Sequence, residues 1–94
     1  MENTKTAFDA GIYGRVQGVA FRYYAAEKAQ QLHITGWVRN NSDGSVEVHA
    51  EGSGENIKLF LDWLHVGPSH ARVDSINFTY CKPTGFYKRF VIEC

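Results

Sequence analysis

The chain has 94 residues, and its ten basic side chains balance ten acidic ones. That length suits one domain and is too short for two. Zero net charge supplies no field to draw in nucleic acid or an anionic membrane. A hydrophobic content of 44% excludes a disordered tail and supports one modest core.

Met1–Thr6 lacks the apolar stretch of a signal peptide and reads as a flexible lead-in; no later run approaches membrane-spanning length. Phe8, Ala10 and Ile12 then alternate with smaller or polar neighbours, which predicts a strand over Ala7–Tyr13. Gly14 and Gly18 bracket a short irregular stretch. Phe21, Ala25, Ala29 and Leu32 follow at spacings of four, four and three, one stripe of a helix over Phe21–His33. Ile34–Asn40 reads as a second strand, with Ile34, Gly36 and Val38 on one face and Thr35, Trp37 and Arg39 on the other. Asp43-Gly44 supplies the freedom for a hairpin turn into a third strand, where Val46, Val48 and Ala50 alternate with Glu47, His49 and Glu51. The second set is expected on a wet face.

Ile57, Phe60, Leu61 and Leu64 predict an amphipathic helix over Gly54–Val66, ended by Gly67-Pro68. Ile76, Phe78 and Tyr80 mark a fourth strand, and Lys88–Glu93 a short fifth beyond the turn at Pro83-Thr84-Gly85. The order is βαββαβ plus a short terminal strand in a single domain. It predicts an α+β, ferredoxin-like split βαβ sandwich, an antiparallel sheet with two helices on one face. In that arrangement the first two strands run parallel on either side of the third. Their C-terminal ends then lie on the order of 10 Å apart, close enough to face one small ligand.

Between the first strand and first helix runs Gly14-Arg15-Val16-Gln17-Gly18-Val19-Ala20-Phe21-Arg22. A turn of this kind aims backbone N–H groups and the positive end of a helix at one point. Its glycines let the backbone curl round a tetrahedral anion, and Arg22 adds a planar two-pronged charge. An ordinary strand-to-helix turn with a surface arginine is the plain alternative. The spacing fits neither the dinucleotide fingerprint nor a Walker loop.

Gly14–Arg22 resembles the signature loop of acylphosphatases. Gly36-Trp37-Val38-Arg39-Asn40-Asn41, followed by Asp43-Gly44-Ser45-Val46, resembles that family's second signature. The resemblance implies hydrolysis of the carboxyl–phosphate anhydride. It assigns Arg22 to the substrate phosphoryl group and Asn40 to the attacking water. The backbone amides of Gln17, Gly18, Val19, Ala20 and Phe21 would hold phosphate oxygens. Asn41 and Ser45 depart from the threonines that many members carry, and Ala20 occupies a variable position. A carboxamide is no base at neutral pH, so Asn40 is limited to orienting water through hydrogen bonds. No metal or other cofactor is implied.

His33, His49, His65 and His70 show no close metal-ligand spacing and read as surface residues. Glu47 and Glu51 read as solvating charges. Tyr23 and Tyr24 open the first helix, one ring expected to pack and the other to cover the site partly. Cys81 and Cys94 lie outside the loop and form no disulfide framework, consistent with a reduced protein. Ferredoxin-like sheets also bind RNA, but the third strand has no aromatic residue and the chain no excess positive charge. An anion-binding or maturation module without catalysis is the remaining alternative; the presence of both Arg22 and Asn40 in a single-domain chain speaks against it. The expectation is a soluble, cytoplasmic, monomeric hydrolase of a small-molecule acyl phosphate, without nucleic-acid or membrane partners.

Overall fold

The computed structural model describes residues 4–93. The elements are β1 (Lys5–Arg15), α1 (Phe21–Gln31), β2 (Thr35–Asn40), β3 (Val46–Ser53), α2 (Gly54–Val66), β4 (Arg72–Cys81) and β5 (Phe90–Glu93). The sheet order is β4-β1-β3-β2-β5, with every pairing antiparallel except β2 with β5. This is the expected α+β ferredoxin-like fold, with β1 and β2 flanking β3 as anticipated. Residues 1–3 of the expected flexible lead-in lie outside the described residues, whereas Lys5 and Thr6 belong to β1 and pair with Ser53 and Gly52.

The core lies between one face of the sheet and both helices. Phe8, Ile12, Val38, Val46, Val48 and Ala50 point into it from alternate strand positions and are fully buried. From the helices come Phe21, Ala25 and Ala29, then Ile57, Phe60 and Leu64. Phe60 touches the rings of Phe8, Trp63 and Phe90. Ser53 caps α2 by accepting from the amide of Asn56, and Gly67 closes it in a positive-φ conformation. α1 ends differently. His33 takes φ 56, and the amides of His33 and Ile34 turn back to the carbonyls of Gln30 and Ala29, a Schellman closure.

Two sequence readings need correction here. β4 begins at Arg72, four residues before the expected Ile76, because a sheet edge tolerates Arg72, Asp74 and Ser75 facing solvent. His49 and Glu51 are not on a wet face: they are 8% and 4% exposed. β4 and β5 occupy opposite edges of the sheet, so residues 82–89 must cross it, and they cross the face opposite the helices. Thr84 donates to Glu51 through both its amide and its hydroxyl, and the Gly85 amide donates to the same carboxylate. Tyr87 lies against the His49 ring, 5.2 Å between centroids. Burial alone would raise the Glu51 carboxyl, but the hydrogen bonds from His49, Thr84 and Gly85 outweigh it and bring its pKa down to about 2.

Gly36 has φ +136, and a Cβ there would sit 1.9 Å from the His49 carbonyl oxygen of the neighbouring strand. At Gly54, in the first turn of α2, a Cβ would meet only the Thr4 carbonyl oxygen, at 3.7 Å. Gly36→Ala is therefore expected to destabilise the fold by more than about 1 kcal/mol, and Gly54→Ala to leave it unchanged or stabilise it by roughly 0.4–1 kcal/mol. Urea midpoints of the two variants against wild type check the pair. Equal midpoints would show that β2 and β3 separate at no cost.

Candidate active site

Leaving β1, the chain is bent by an irregularity in its pairing with β4 between Tyr13 and Gly14. Gly14 has φ +132, and a Cβ there would lie 2.2 Å from the Arg72 carbonyl oxygen, so the bend requires glycine. The loop then carries two more left-handed residues, Gly18 at φ 76 and Ala20 at φ 61. For alanine that conformation costs about 1–2 kcal/mol. Left-handed residues on either side of Val19 are the kind of backbone from which anion-binding nests are built.

Ala20 is also the N-cap of α1, and it makes no side-chain cap bond; the first turn contains no acidic residue. α2 contrasts on both counts, with the Ser53 cap and Glu55 in its first turn. The N-terminus of α1 thus keeps backbone donors and its positive dipole end without an internal counter-charge.

A cavity of about 220 Å³ opens at this point, lined by Val16, Gln17, Gly18, Ala20, Phe21, Arg22, Tyr23, Asn40 and Ile92. The structure therefore brings together Arg22, Asn40 and most of the predicted loop. Val19 instead packs against the core. Arg22 is half-buried, and Nη1 donates to the Glu93 carbonyl at a long 3.4 Å, which leans the guanidinium against β5. Asn40 ends β2 opposite Val46. Its Oδ1 is fully buried without a hydrogen-bond partner in the protein, unlike every other buried side-chain oxygen or nitrogen among the described residues. Such an acceptor costs about 1–3 kcal/mol unless a donor reaches it.

The Gln17 side chain has a role that the sequence did not reveal. Nε2 donates to the carbonyls of Asn41 and Ser45, at 2.8 and 2.9 Å, and so ties the loop to the β2–β3 hairpin. The hairpin is itself braced. The Asn41 amide side chain donates to the Ser45 hydroxyl, which donates to Asp43 at 2.6 Å, while the Ser45 backbone N–H donates to the same carboxylate oxygen. Those two bonds from Ser45 hold the Asp43 carboxyl below the usual range. Neither Tyr23 nor Tyr24 packs into the core as one of them was expected to. Both rings are exposed and pack edge-to-face on each other, 5.2 Å apart, and Tyr23 forms part of the cavity wall. Cys94 lies outside the described residues.

Residues 8–92 match the family model for acylphosphatase. The chain belongs to the acylphosphatase family. An acylphosphatase from Aliivibrio fischeri is 54% identical over 66 residues, covering 70% of this chain and 73% of that one. One from Salinibacter ruber is 39% identical over 90 residues, 96% of this chain and 95% of that one. The crystal structure of acylphosphatase from Bacillus subtilis shares the fold with a TM-score of 0.91 at 32% identity, over 95% of this chain and 99% of that chain. This protein is accordingly an enzyme, a hydrolase of acyl phosphates. Among the described residues no helix is long and apolar enough to cross a membrane.

Replacing Gln17 by leucine keeps its bulk but removes both donors. The Asn41 and Ser45 carbonyls then lose a partner, at about 1–3 kcal/mol. We expect lower stability together with weaker competition by inorganic phosphate, since the loop is no longer tied to the hairpin. A phosphate inhibition constant equal to wild type would show that this tie does not shape the cavity.

Proposed function

We propose that the cavity between the ends of β1 and β2 is where the acylphosphatase reaction takes place. The phosphoryl group sits in the loop of residues 17–21, Arg22 binds its oxygens, and Asn40 orients the attacking water. The Asn40 side chain, which lines the cavity and whose Oδ1 makes no hydrogen bond to the protein, carries this reading. A turn of its amide brings Oδ1 to a cavity water, which donates one hydrogen to it and directs a lone pair at phosphorus. Phosphoryl transfer asks little covalent work of the protein, so positioning and charge stabilisation suffice. Asn40 does not ionise, so the water's proton leaves to a phosphate oxygen or to solvent.

The leaving group sets what can react. An acyl phosphate expels a carboxylate, whose conjugate acid has a pKa near 4, and it departs without a proton. An alkyl phosphate expels a strongly basic alkoxide and needs a general acid or metal. Apart from the Tyr23 phenol, the cavity wall offers no general acid, and it contains no carboxylate, histidine or cysteine to hold a metal. The enzyme thus selects by leaving-group chemistry more than by shape, without metal. Aromatic and aliphatic acyl phosphates are both substrates, and sugar phosphates are not.

Two comparisons test these assignments. Arg22→Lys keeps the charge but loses the planar fork, and should lower kcat by about 10²–10³. Asn40→Asp should fall as far as Asn40→Ala, since the carboxylate keeps an acceptor for the water but sets a negative charge against the phosphoryl group. Both are read with a chromogenic aryl acyl phosphate, and near-wild-type turnover by either variant removes that residue from the scheme. Separately, kcat/KM for an acyl phosphate should exceed that for a simple alkyl monoester by orders of magnitude at neutral pH, with chelator present. Similar values would mean that an acid or metal assists the departure.

A further inference from the structure

The face of the sheet away from the helices holds a second group of chemically active side chains. Asp9 and His49 are Cα partners on β1 and β3, and Cys81 pairs with Ala7 on β4, one diagonal step away. One ligand atom from each of the three lies within 4.8 Å of the other two. His49 Nδ1 is 2.7 Å from Asp9 Oδ1, and Cys81 Sγ is 3.8 Å from Asp9 Oδ2. We propose that Asp9, His49 and Cys81 form a binding site for a divalent transition-metal ion of the zinc type.

The geometry is close to what such an ion needs. Zinc bonds of about 2.0–2.3 Å to N, O and S give tetrahedral edges of roughly 3.4–3.6 Å. The present spacings bracket that range, so small side-chain rotations suffice, and the backbone positions are already set by strand register. Asp9 is exposed and gives the ion access from solvent. The donor set of one oxygen, one nitrogen and one sulfur suits zinc or cobalt and disfavours magnesium and calcium.

His49 is the best-prepared member. Its Nε2 is 2.7 Å from Glu51 Oε2, and that carboxylate is anchored by Thr84 and Gly85. A histidine ligand held by a carboxylate on its far nitrogen has its tautomer and ring orientation fixed, with the near nitrogen turned to the metal. The rings of Trp37 and Tyr87 pack against His49, at 6.1 and 5.2 Å between centroids, and hold it from rotating. Without an ion, a proton on Nδ1 bridges to Asp9. On binding, the ion replaces that proton and the thiol proton of Cys81, both released to solvent. One carboxylate, one thiolate and a neutral imidazole then balance the ion's two charges. Asp9 lies six residues before Arg15, about 20 Å along β1, so the site is separate from the cavity at the strand ends.

The test is titration of chelator-treated protein with cobalt(II), followed by absorbance. We expect saturable binding with tetrahedral visible bands and a near-ultraviolet thiolate-to-cobalt charge-transfer band, both abolished by zinc and untouched by magnesium. Cys81→Ser should lose the charge-transfer band, and Cys94→Ser should keep it. Asp9→Asn should weaken zinc by more than the roughly 10–100-fold that loss of an outer-shell partner costs. Circular dichroism verifies that each variant is folded. A wild-type protein without the charge-transfer band at saturating cobalt overturns the proposal, as does a band that survives Cys81→Ser or vanishes with Cys94→Ser.

Discussion

The antiparallel pairing of β3 with both β1 and β2 is the constraint on which the rest depends. Because β1 and β2 run the same way on either side of β3, the loop after β1 and the residue ending β2 meet at one end of the sheet. Close approach of the backbones at Gly36 keeps β2 in register with β3, and register decides that Asn40 stands opposite Val46. Gln17 then spans the remaining distance with two hydrogen bonds to the hairpin. The cavity is a product of strand order before it is a product of any side chain.

Under the proposed function, anion affinity at that end comes mostly from the main chain. Gly18 and Ala20 are left-handed, and α1 begins without the cap and acidic first turn that α2 has. The strain at Ala20 and the omitted cap both reduce stability locally. Sites that bind by pre-set backbone donors commonly retain such strain, because relaxing it would turn the donors away.

Much of this was legible in the sequence. The Ile57-Phe60-Leu61-Leu64 spacing and the Gly67-Pro68 stop located α2 at Gly54–Val66. The loop was legible because its glycines reflect a local backbone requirement, whereas Asn40 was singled out only through the resemblance of residues 36–41 to a family signature. Other features were hidden for physical reasons. Alternation in β3 assigned His49 and Glu51 to the face away from the core, and that was right, but periodicity does not report what later chain covers a face. Residues 82–89 cover it, and nothing in Thr84 or Tyr87 announces a partner more than thirty positions away. Asp9 and Cys81 meet only through strand pairing. Gln17 looked like a loop amide donor, and its side chain proved to be the tie.

The placement of β5 bears on how the protein comes into being. It follows every other element in the chain, yet it pairs with β2, supplies Ile92 to the cavity wall and offers the Glu93 carbonyl to Arg22. A nascent chain that has released β1 through β4 holds the glycine-rich loop and Asn40 but lacks this wall. Pairings between elements so distant in sequence form late and slowly. The cavity is therefore completed only once β5 has emerged and paired with β2 at the far edge.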